Sequence, residues 1–446
     1  MKRAIAVAVV AAGLAVQCAH RPASGVATPP AIPRADHHAH LISPAAAALQ
    51  SDRPLAAVDL PPALAAVIEA RAARWNDRSA LAELFTADAM LLDPFGPTWI
   101  RGRSEIAEHL TSIFDEPFRV VPVGFVLDGV GGHVAGYMAT GGPDAPDYFA
   151  HVLFSVTKEP DGVWRIAAEM PVYEGPFVRE PVTAETLVKQ LDEVGVERAA
   201  VLSVAYWLGR DRRSVPLAQE IAEVRAENDW VVSEVARFPD RLVAFCSVNP
   251  LRDYAVEELS RCATSPRVKG VKLHFGNSGV DVRDTAHVEK VRAVFRAANE
   301  RGLAILLHLW TNAAYENEGG AHAEKVLAQL LPAAPDVPVQ IAHMAGGGRS
   351  TGAALAVFAE AIAAGDPRTK NLYFDVATLT TGQSDEGLRR DVERMRQIGF
   401  DRILYGTDTV PPNPPVRRSW GTFRALMPLT DAEIRIIADN VAPYLR

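Results

Sequence analysis

Two histidines one residue apart, His38 and His40, stand in the segment Ala-Asp-His-His-Ala-His-Leu at positions 35–41. In a β-strand, residues i and i+2 point to the same face, so a strand here places both imidazoles side by side. Imidazole is the side chain that most often binds metal ions. The pair therefore predicts one half of a divalent-metal site, and the other half must come from elsewhere in the chain.

Four later apolar runs also end in polar side chains that bind metals or move protons. They lead to Lys272 and His274, to His308, to His343 and to Asp408. In a parallel barrel the C-terminal ends of the strands meet on one face, where catalytic residues gather. A single histidine at a strand end is usually structural. Five strand ends that carry such residues together predict a functional site.

The elements that would position these residues alternate regularly. From about residue 181 onward, continuous Val/Ile/Leu runs typical of buried parallel strands alternate with amphipathic, helix-like stretches. Seven strands are predicted, at 199–204, 242–248, 268–275, 303–309, 337–343, 372–376 and 402–407. Adding the strand at 35–41 gives eight strand–helix units, the number that closes a (β/α)8 barrel. The predicted fold class is α/β, with a TIM-like barrel.

A segment of different character lies between the first strand and the rest. Helical patterns near 62–75, 81–85 and 104–114 come before alternating strands at 119–127, 133–140, 148–158 and 164–170. Helices followed by antiparallel strands indicate an α+β domain. We predict such a domain over residues 60–176, inserted after strand 1 of a barrel formed by residues 34–59 and 177–446.

The inserted segment resembles the SnoaL-like, nuclear-transport-factor-2-like superfamily. The resemblance rests on Ala-Asp-Ala-Met-Leu-Leu at 87–92, Ile-Arg-Gly-Arg-Ser-Glu-Ile at 100–106, and Phe-Ser-Val-Thr-Lys with Trp-Arg-Ile between 154 and 166. It implies a cone-shaped α+β fold but no particular function, because this fold hosts both enzymes and binding modules. Four residues are expected to pack in its core or line its cavity: Trp75, Asp93, His151 and Glu169.

The predicted barrel resembles the amidohydrolase-related (amidohydrolase 2) family of the metal-dependent hydrolase superfamily, which has decarboxylases among its relatives. The matching motifs are Asp-x-His-x-His at 36–40, Gly-Val-Lys-Leu-His at 270–274, Ala-His-Met-x-Gly-Gly at 342–347 and Tyr-Gly-Thr-Asp at 405–408. The resemblance implies four metal ligands, which are His38, His40, His308 and Asp408. It also implies that His343 is the catalytic or substrate-polarising histidine.

Neutral imidazoles with one carboxylate suit a single zinc ion that keeps an open position for water. Asp408 is then expected to take a proton from that water, and His343 to donate a hydrogen bond to the oxygen that gains charge. We predict a metal-dependent hydrolase of an amide, ester or lactone bond in a small organic molecule. Two alternatives stay open: a non-oxidative decarboxylase of an aromatic or enoic carboxylate, and an inactive barrel that only binds a ligand.

Four residues are predicted to contact the substrate: Lys272, His274, Trp310 and Arg349. Lys272 is either an ammonium that pairs with a carboxylate or meets an anionic substrate, or a carbamylated lysine that bridges two metals; a one-metal site favours the ammonium. Trp310 either lines the pocket or packs against the inserted domain. Arg349 either binds a substrate carboxylate or is exposed. Asp375 either orients a ligand histidine or caps the next helix.

The N-terminus has the pattern of an export signal. Lys2 and Arg3 precede an apolar stretch at 4–16, too short to span a membrane but typical of a signal peptide. We predict a signal peptide over residues 1–18 and a tether over 19–33. Lipidation of Cys18 gives a periplasmic or outer-membrane-anchored lipoprotein; the alternative is ordinary secretion.

The net charge of −8 and the lack of a Lys/Arg-rich patch argue against nucleic acid as a partner. The expected partners are a small-molecule substrate, a membrane reached through Cys18, and a second copy of the chain, since the resemblance implies a homodimer. Of the two other cysteines, Cys246 lies in an apolar run. It is predicted as a buried free thiol, because two cysteines do not make a disulfide framework.

Overall fold

The apolar runs of the sequence form two separate sheets. The computed structural model describes residues 31–50, 55–93, 98–113, 117–140, 147–172, 181–210, 215–309, 319–346, 351–380, 384–409 and 415–446. In chain order the strands are β1 (Ala35–His40), β2 (Phe85–Leu92), β3 (Trp99–Arg101), β4 (Arg119–Asp128), β5 (Gly131–Thr140), β6 (Asp147–Lys158), β7 (Trp164–Val172), β8 (Arg198–Leu202), β9 (Leu242–Ser247), β10 (Val268–His274), β11 (Ala304–His308), β12 (Val339–Ile341), β13 (Leu372–Asp375) and β14 (Ile403–Leu404).

Eight of these strands form one parallel sheet in the order β1-β8-β9-β10-β11-β12-β13-β14. The seam between its two outer strands is closed by single hydrogen bonds. The amide of His37 donates to the carbonyl of Tyr405 at 2.9 Å, and the amide of Asp408 donates to the carbonyl of His38 at 2.6 Å. The predicted (β/α)8 barrel is confirmed, with all seven later strands found where the sequence placed them.

Helices follow the barrel strands on the outside. The main ones are Ala184–Val194, Leu217–Ala236, Ala255–Cys262, Thr285–Glu300, Gly319–Lys325, Thr351–Ala363, Asp385–Ile398, Val416–Leu426 and Asp431–Asp439. Their ends carry ordinary signals: the Thr183 hydroxyl accepts from the amide of Thr186, and Gly195 ends the same helix with φ of 83°. Thr430 and Glu433 form a capping box. Pro443–Leu445 is a single 3-10 turn at the C-terminus.

The other sheet belongs to the predicted insertion and has the order β3-β2-β7-β6-β5-β4. The helices Pro62–Ala73, Arg78–Ala82 and Arg103–Ile113 pack on it around one apolar core. The predicted α+β domain is confirmed, with two corrections. β2 pairs with β7 in parallel rather than antiparallel fashion, and Phe85, predicted at the end of a short helix, begins β2 because its side chain is needed in the sheet's core.

The insertion leaves and re-enters the barrel through a narrow neck. Ile42, two residues after β1, forms an isolated antiparallel bridge with Val182, just before the next barrel helix. Their two backbone hydrogen bonds measure 3.1 and 3.0 Å. The neck packs on Ala46 and Val204. The bounds of 60–176 for the domain stay a prediction, since residues 173–180 lie outside the described ranges.

Cys246 on β9 and Cys262, at the end of the following helix, are joined by a disulfide. The prediction of a buried free thiol was therefore wrong. The chain turns back between β9 and this helix, so residues 16 positions apart meet, and a spacing of that length carries no signal in the sequence. Within the described ranges, no helix has both the length and the apolar character needed to cross a membrane.

Candidate metal centre

His38, His40 and Asp408 converge at the C-terminal mouth of the barrel, across its closing seam. Nε2 of His40 lies 3.2 Å and Nε2 of His38 lies 3.5 Å from Oδ1 of Asp408. Zinc bonds of about 2.1 Å to N and O place two tetrahedral ligands of one ion roughly 3.4 Å apart. The three side chains are therefore spaced as ligands of a shared ion would be.

The ring hydrogens of both histidines are directed away from this point. Nδ1 of His38 lies 3.0 Å from a carboxylate oxygen of Asp375, and Nδ1 of His40 lies 2.9 Å from the carbonyl oxygen of Leu202. Because these partners only accept, each Nδ1 carries the hydrogen and each Nε2 presents a lone pair towards Asp408. Burial lowers the pKa of His38 to about 4, which keeps its ring neutral. This donor set fits a divalent metal ion.

Asp375, at the end of β13, binds two strand ends at once. Its Oδ2 accepts from His38 Nδ1 at 3.0 Å and from Gln340 Nε2 at 2.7 Å, while its Oδ1 accepts from the amides of His343 and Ala377 at 3.0 and 3.1 Å. Burial alone would raise the pKa of Asp375, but His38, His343 and these hydrogen bonds hold it well below its usual range. Asp375 was predicted either to orient a ligand histidine or to cap the next helix, and its contact with His38 matches the first role.

His343 begins a left-handed turn. The φ angles of His343, Met344 and Ala345 are 52°, 50° and 75°. Residues other than glycine adopt this left-handed region of φ and ψ only at a cost in energy. In the part of the chain that the structure describes, the other two non-glycine residues with positive φ are Thr378 and Asp408. All five follow β12, β13 or β14, so the strained backbone is concentrated around the site.

The hydrogen bonds of His343 fix what its ring can do. Nδ1 lies 2.7 Å from the carbonyl oxygen of Ala377, so it carries the hydrogen, and Thr378 Oγ1 lies 3.1 Å from the same nitrogen. Nε2 then offers a lone pair, 3.8 Å from Oδ2 of Asp408. Neutral His343 can accept a proton there. The predicted hydrogen-bond donation to substrate oxygen requires that it first take one up.

His274 has the opposite tautomer. Its Nδ1 accepts the amide hydrogen of Asn277 at 3.1 Å, so the ring hydrogen sits on Nε2 and the neutral ring is a donor. Its ring packs on those of His308, with centroids 4.1 Å apart, and Tyr206, at 5.1 Å. A donor imidazole cannot be a metal ligand through Nε2. The geometry instead agrees with the predicted contact to substrate.

His308 reaches the same mouth but lies to one side. Its ring centroid is 4.5 Å from that of His343. Among the described residues, the metal-capable groups with ligand atoms within 4.8 Å of one another are His38/His40/Asp408 and His38/His343/Asp375. His308 belongs to neither, so its assignment as a ligand stays a prediction that requires its ring to approach the ion.

Lys272 is buried beside the ligands. Its Nζ lies 3.2 Å from Nε2 of His38, so it donates to the same lone pair that a metal would use. Burial lowers the pKa of Lys272 to about 8, while the charges of Asp408 and Asp375 act in the opposite direction. The ammonium therefore lies within reach of a group bound at the metal position. Contact with substrate stays a prediction.

Contacts across the seam between β1 and β14 hold Asp408 in position. The hydroxyl and amide of Thr407 donate to Asp36 at 2.6 and 3.1 Å. A Cβ on Gly406 would lie 2.7 Å from Cβ of His38, so only glycine lets β14 approach β1 this closely. Burial alone would raise the pKa of Asp408, and positive charge on His38 and His40, when they are protonated, lowers it well below its usual range. A metal ion at their two lone pairs would act in the same direction, so as a ligand Asp408 would be an ionised carboxylate.

Three of the predicted residues, Cys18, Trp310 and Arg349, lie outside the described ranges. In the insertion, the structure separates the residues that were predicted to share its core or cavity. Glu169 is fully buried in an ion pair with Arg71, whose guanidinium lies over the ring of Phe118 at 4.2 Å. His151 instead packs on Tyr137 on the opposite face of the sheet.

Several residues at the site were missed by the sequence reasoning. Tyr206 lies against His274, and the charge of Arg210 lowers the pKa of His274, after the larger effects of burial and Lys272. Both come just after β8, whose end at Leu202 carries no polar residue. Gln340 lies inside β12 and binds Asp375. Its signal was a lone polar residue within an apolar run, read only as part of the strand.

A family model described as Amidohydrolase matches residues 208–440, and no curated protein matches the chain. A 5-carboxyvanillate decarboxylase from Novosphingobium aromaticivorans, solved with manganese, is 13% identical, with 57% of this chain and 78% of that one covered and a TM-score of 0.40. IDCase from Metarhizium anisopliae is 16% identical, with 64% of this chain and 88% of that one covered and a TM-score of 0.42. A ketosteroid isomerase-like protein from Erwinia carotovora atroseptica is 23% identical, with 25% of this chain and 96% of that one covered and a TM-score of 0.21.

Proposed function

Because the chain belongs to the amidohydrolase family, we propose that it is a metal-dependent hydrolase acting on an amide, ester or lactone bond of a small organic molecule. The observation that carries the proposal is the convergence of the His38 and His40 lone pairs on Asp408. Those two histidines and Asp408 would hold the ion, and His308 completes the set if its ring approaches. A bound divalent ion supplies a Lewis acid that polarises a carbonyl and acidifies water.

Zinc is the ion we propose, in one copy per chain. Imidazole nitrogens with a single carboxylate are a common zinc set, and catalytic zinc sites keep one position open. A hard ion such as Mg²⁺ prefers oxygen ligands. In the cluster of His38, His40 and Asp408, one residue, Asp408, offers oxygen. The lone pairs of His38 and His40 therefore favour zinc over magnesium.

In hydrolysis, the oxygen of water adds to the carbonyl carbon while a base takes its proton. Asp408 and His343 face each other across 3.8 Å, so a proton received by Asp408 can pass to the Nε2 lone pair of His343. Imidazolium at His343 then donates that proton to the departing nitrogen or oxygen. His274, whose Nε2 carries a hydrogen, is placed to donate to the oxygen that gains charge.

Decarboxylation is the second function that a specific observation favours. Lys272 is a buried cation beside the ligands, and Arg210 is close enough for its charge to act on His274. With a divalent ion bound, positive charge in the site exceeds that of Asp408 and Asp375, which suits an anionic substrate. The carbon–carbon bond would break with its electron pair left on carbon, which takes a proton as carbon dioxide leaves.

Metal analysis and product assays test these proposals. Metal-free protein is reconstituted with Zn²⁺ and freed of excess ion, and close to one equivalent is expected to remain. His38→Ala is expected to retain almost none, whereas His133→Ala, a change at an exposed histidine of the insertion, should behave as wild type. Reconstituted wild type that holds no metal contradicts the enzyme proposal. Carbon dioxide release from a panel of carboxylates, set against hydrolysis of amides, esters and lactones, distinguishes the two reactions.

We also infer export, with lipidation of Cys18 as the anchor. The disulfide between Cys246 and Cys262 supports an oxidising compartment outside the cytoplasm. Expression with the native N-terminus should give a membrane-associated protein whose mature N-terminus is lipidated Cys18, by mass spectrometry. Cys18→Ser is expected to remove the lipid and abolish membrane association. A wild-type protein that keeps residues 1–18 and stays in the cytoplasm contradicts this inference.

A homodimer is the remaining proposal about partners. The insertion exposes large apolar side chains near the turn between β4 and β5, Val126 and Val130, and exposed apolar surface can mark a protein interface. Light scattering on the purified protein is expected to give twice the mass of the mature chain. A monomer at micromolar concentration contradicts this proposal and leaves the metal site unaffected.

A further inference from the structure

The last residues of the chain pack into the closed end of the barrel. Val441, Tyr444 and Leu445 share one apolar cluster with residues that line the barrel interior, among them Ala35 and Phe245. Ala35 is the first residue of β1, so this cluster lies at the N-terminal ends of the strands, opposite the mouth that holds the candidate metal centre. We call residues 441–446 the C-terminal plug. The ring of Tyr444 lies 5.0 Å from that of Phe245.

A line of hydrogen bonds runs from the plug to the metal ligands. The hydroxyl of Tyr444 donates to Oε1 of Gln340. Nε2 of Gln340 donates to Oδ2 of Asp375 at 2.7 Å and to the carbonyl of His37 at 3.3 Å. The same Oδ2 accepts from Nδ1 of His38 at 3.0 Å. The donor and the acceptor of each bond are defined. The carboxylate of Asp375 can only accept, so the amide nitrogen of Gln340 faces Asp375 and the amide oxygen accepts from the hydroxyl of Tyr444.

A second contact joins the plug to the neighbouring residue of β1. The amide of Ala442 donates to Nε2 of His37 at 3.1 Å, and Nδ1 of His37 donates to the carbonyl of Tyr405 at 2.9 Å. Burial lowers the pKa of His37 to about 4, so the ring is neutral and both nitrogens are used. The adjacent residues His37 and His38 therefore have separate tasks. His37 binds the plug and His38 faces the metal position.

We infer that the C-terminal plug positions the metal centre, with Tyr444 and Gln340 as positioning residues that act on His38 through Asp375. The inference rests on the proposed role of His38 as a metal ligand. All the groups between the plug and His38 are buried, where a hydrogen bond is stronger and a missing partner costs more than in water. Without the tyrosine hydroxyl, Oε1 of Gln340 loses its donor and the amide is held at one end only. The carboxylate of Asp375, and with it the His38 ring, then gains freedom to move.

The test is the affinity of full-length, metal-free protein for Zn²⁺, measured by competition with a chelator. Tyr444→Phe removes the hydroxyl and keeps the ring. Loss of an outer partner of a ligand histidine typically weakens metal binding about 10–100-fold; Tyr444 is two bonds further away, so we expect about a threefold to tenfold loss. The thermal midpoint of the metal-free variant is measured alongside, since a purely structural role would lower that midpoint and leave the zinc affinity unchanged.

Tyr254→Phe is the matched control. Tyr254 is also buried, and its hydroxyl donates to Glu220 at 2.6 Å on the outside of the barrel. The same change there should leave zinc affinity as in wild type. Gln340→Met breaks the line one bond closer to Asp375 and should weaken zinc binding more than Tyr444→Phe does.

The outcomes separate this inference from the proposed function. Wild type that binds no zinc contradicts the metal site itself. Wild type that binds zinc, with Tyr444→Phe equal to it, overturns the positioning role of the plug and leaves the metal site standing. A loss in Tyr444→Phe without a loss in Gln340→Met also overturns it, because the effect would then not pass through Gln340.

Discussion

Asp375 accepts the Nδ1 hydrogen of His38 at 3.0 Å with one carboxylate oxygen and the backbone hydrogen of His343 at 3.0 Å with the other. One side chain thus sets both the ring orientation of a candidate metal ligand and the first residue of the left-handed turn. Second partners of this kind fix the tautomer of a ligand histidine and raise its basicity. The ends of β1, β12 and β13 are therefore held as a unit rather than separately.

Asp375→Asn should weaken zinc binding by about 10–100-fold. Each oxygen of the carboxylate accepts hydrogen bonds from two donors. In asparagine an NH2 group replaces one oxygen and cannot accept, so two of these donors lose their acceptor. Zinc affinity of the metal-free protein is the measurement. Asp253→Asn, at an exposed carboxylate paired with Lys290, is the matched change and should have no effect. Equal affinities for the two variants would refute the role of Asp375.

The insertion depends on a buried ion pair. Arg71 and Glu169 are both fully buried and joined by two hydrogen bonds of 3.1 and 2.5 Å. Arg71→Met leaves the glutamate without its partner and should lower the free energy of unfolding by about 3–5 kcal/mol. The double change Arg71→Met with Glu169→Leu should recover most of that loss, since no charge stays buried. Urea unfolding measures both, and a double variant no more stable than the single one contradicts this account.

Stability should fall as Glu227 ionises. Its side chain is buried, accepts from the hydroxyl of Ser43 beside the neck, and has its pKa raised by burial from 4.5 to about 7. The folded state holds this proton more tightly than the unfolded state, so stability is greatest below pH 4.5 for this group and is lost as pH rises to 7. The loss amounts to at most about 3 kcal/mol.

Glu227→Gln removes that titration and should make the urea midpoint less dependent on pH between 5 and 8 than in wild type. Glu257→Gln, which changes an exposed glutamate, should keep the wild-type slope. A Glu227→Gln protein that loses stability with pH as steeply as wild type would show that the carboxyl is already ionised when folded.

The disulfide should be a measurable part of the barrel's stability. It closes a loop between residues 16 positions apart, for which the chain-entropy estimate is about 3 kcal/mol. Replacing Cys246 and Cys262 together by Ser should lower the free energy of unfolding by roughly 2–4 kcal/mol. Reductant should lower the stability of wild type and leave the double variant unchanged. Sensitivity to reductant in the double variant would mean that another group is responsible.

The barrel could be predicted because its strands are long apolar runs that end in chemically distinctive residues. His38, His40, His274, His308 and Asp408 were found by that rule, and the structure brings them to one mouth. Residues inside a run were harder to interpret. Gln340 reads as one polar interruption of β12, and its contacts with Asp375 and Tyr444 join positions 35 and 104 residues apart.

Most of the tautomers could not be predicted. Whether a ring nitrogen binds metal or donates depends on the partner of the other nitrogen. Asp375, the partner of His38, was one of the candidates for that role, but the partners of His40 and His274 are backbone groups, the carbonyl of Leu202 and the amide of Asn277. Backbone groups are the same in every sequence, so their placement is known only from the fold. The disulfide was missed for a related reason, since the return of the chain to β9 is a tertiary event.

The bridge between Ile42 and Val182 has a consequence for how such a protein can change over time. Closing a loop costs entropy that depends on its length, but here the closure is made locally, at the neck. Apart from Ser43, Ala46 and Ala47, which pack on the barrel, the chain between these residues is closed at the neck in the way that a hairpin loop is closed by its strands. A module with neighbouring chain ends could replace the present one while the bridge and the barrel strands stay paired, so the neck is a position at which the inserted domain could be exchanged.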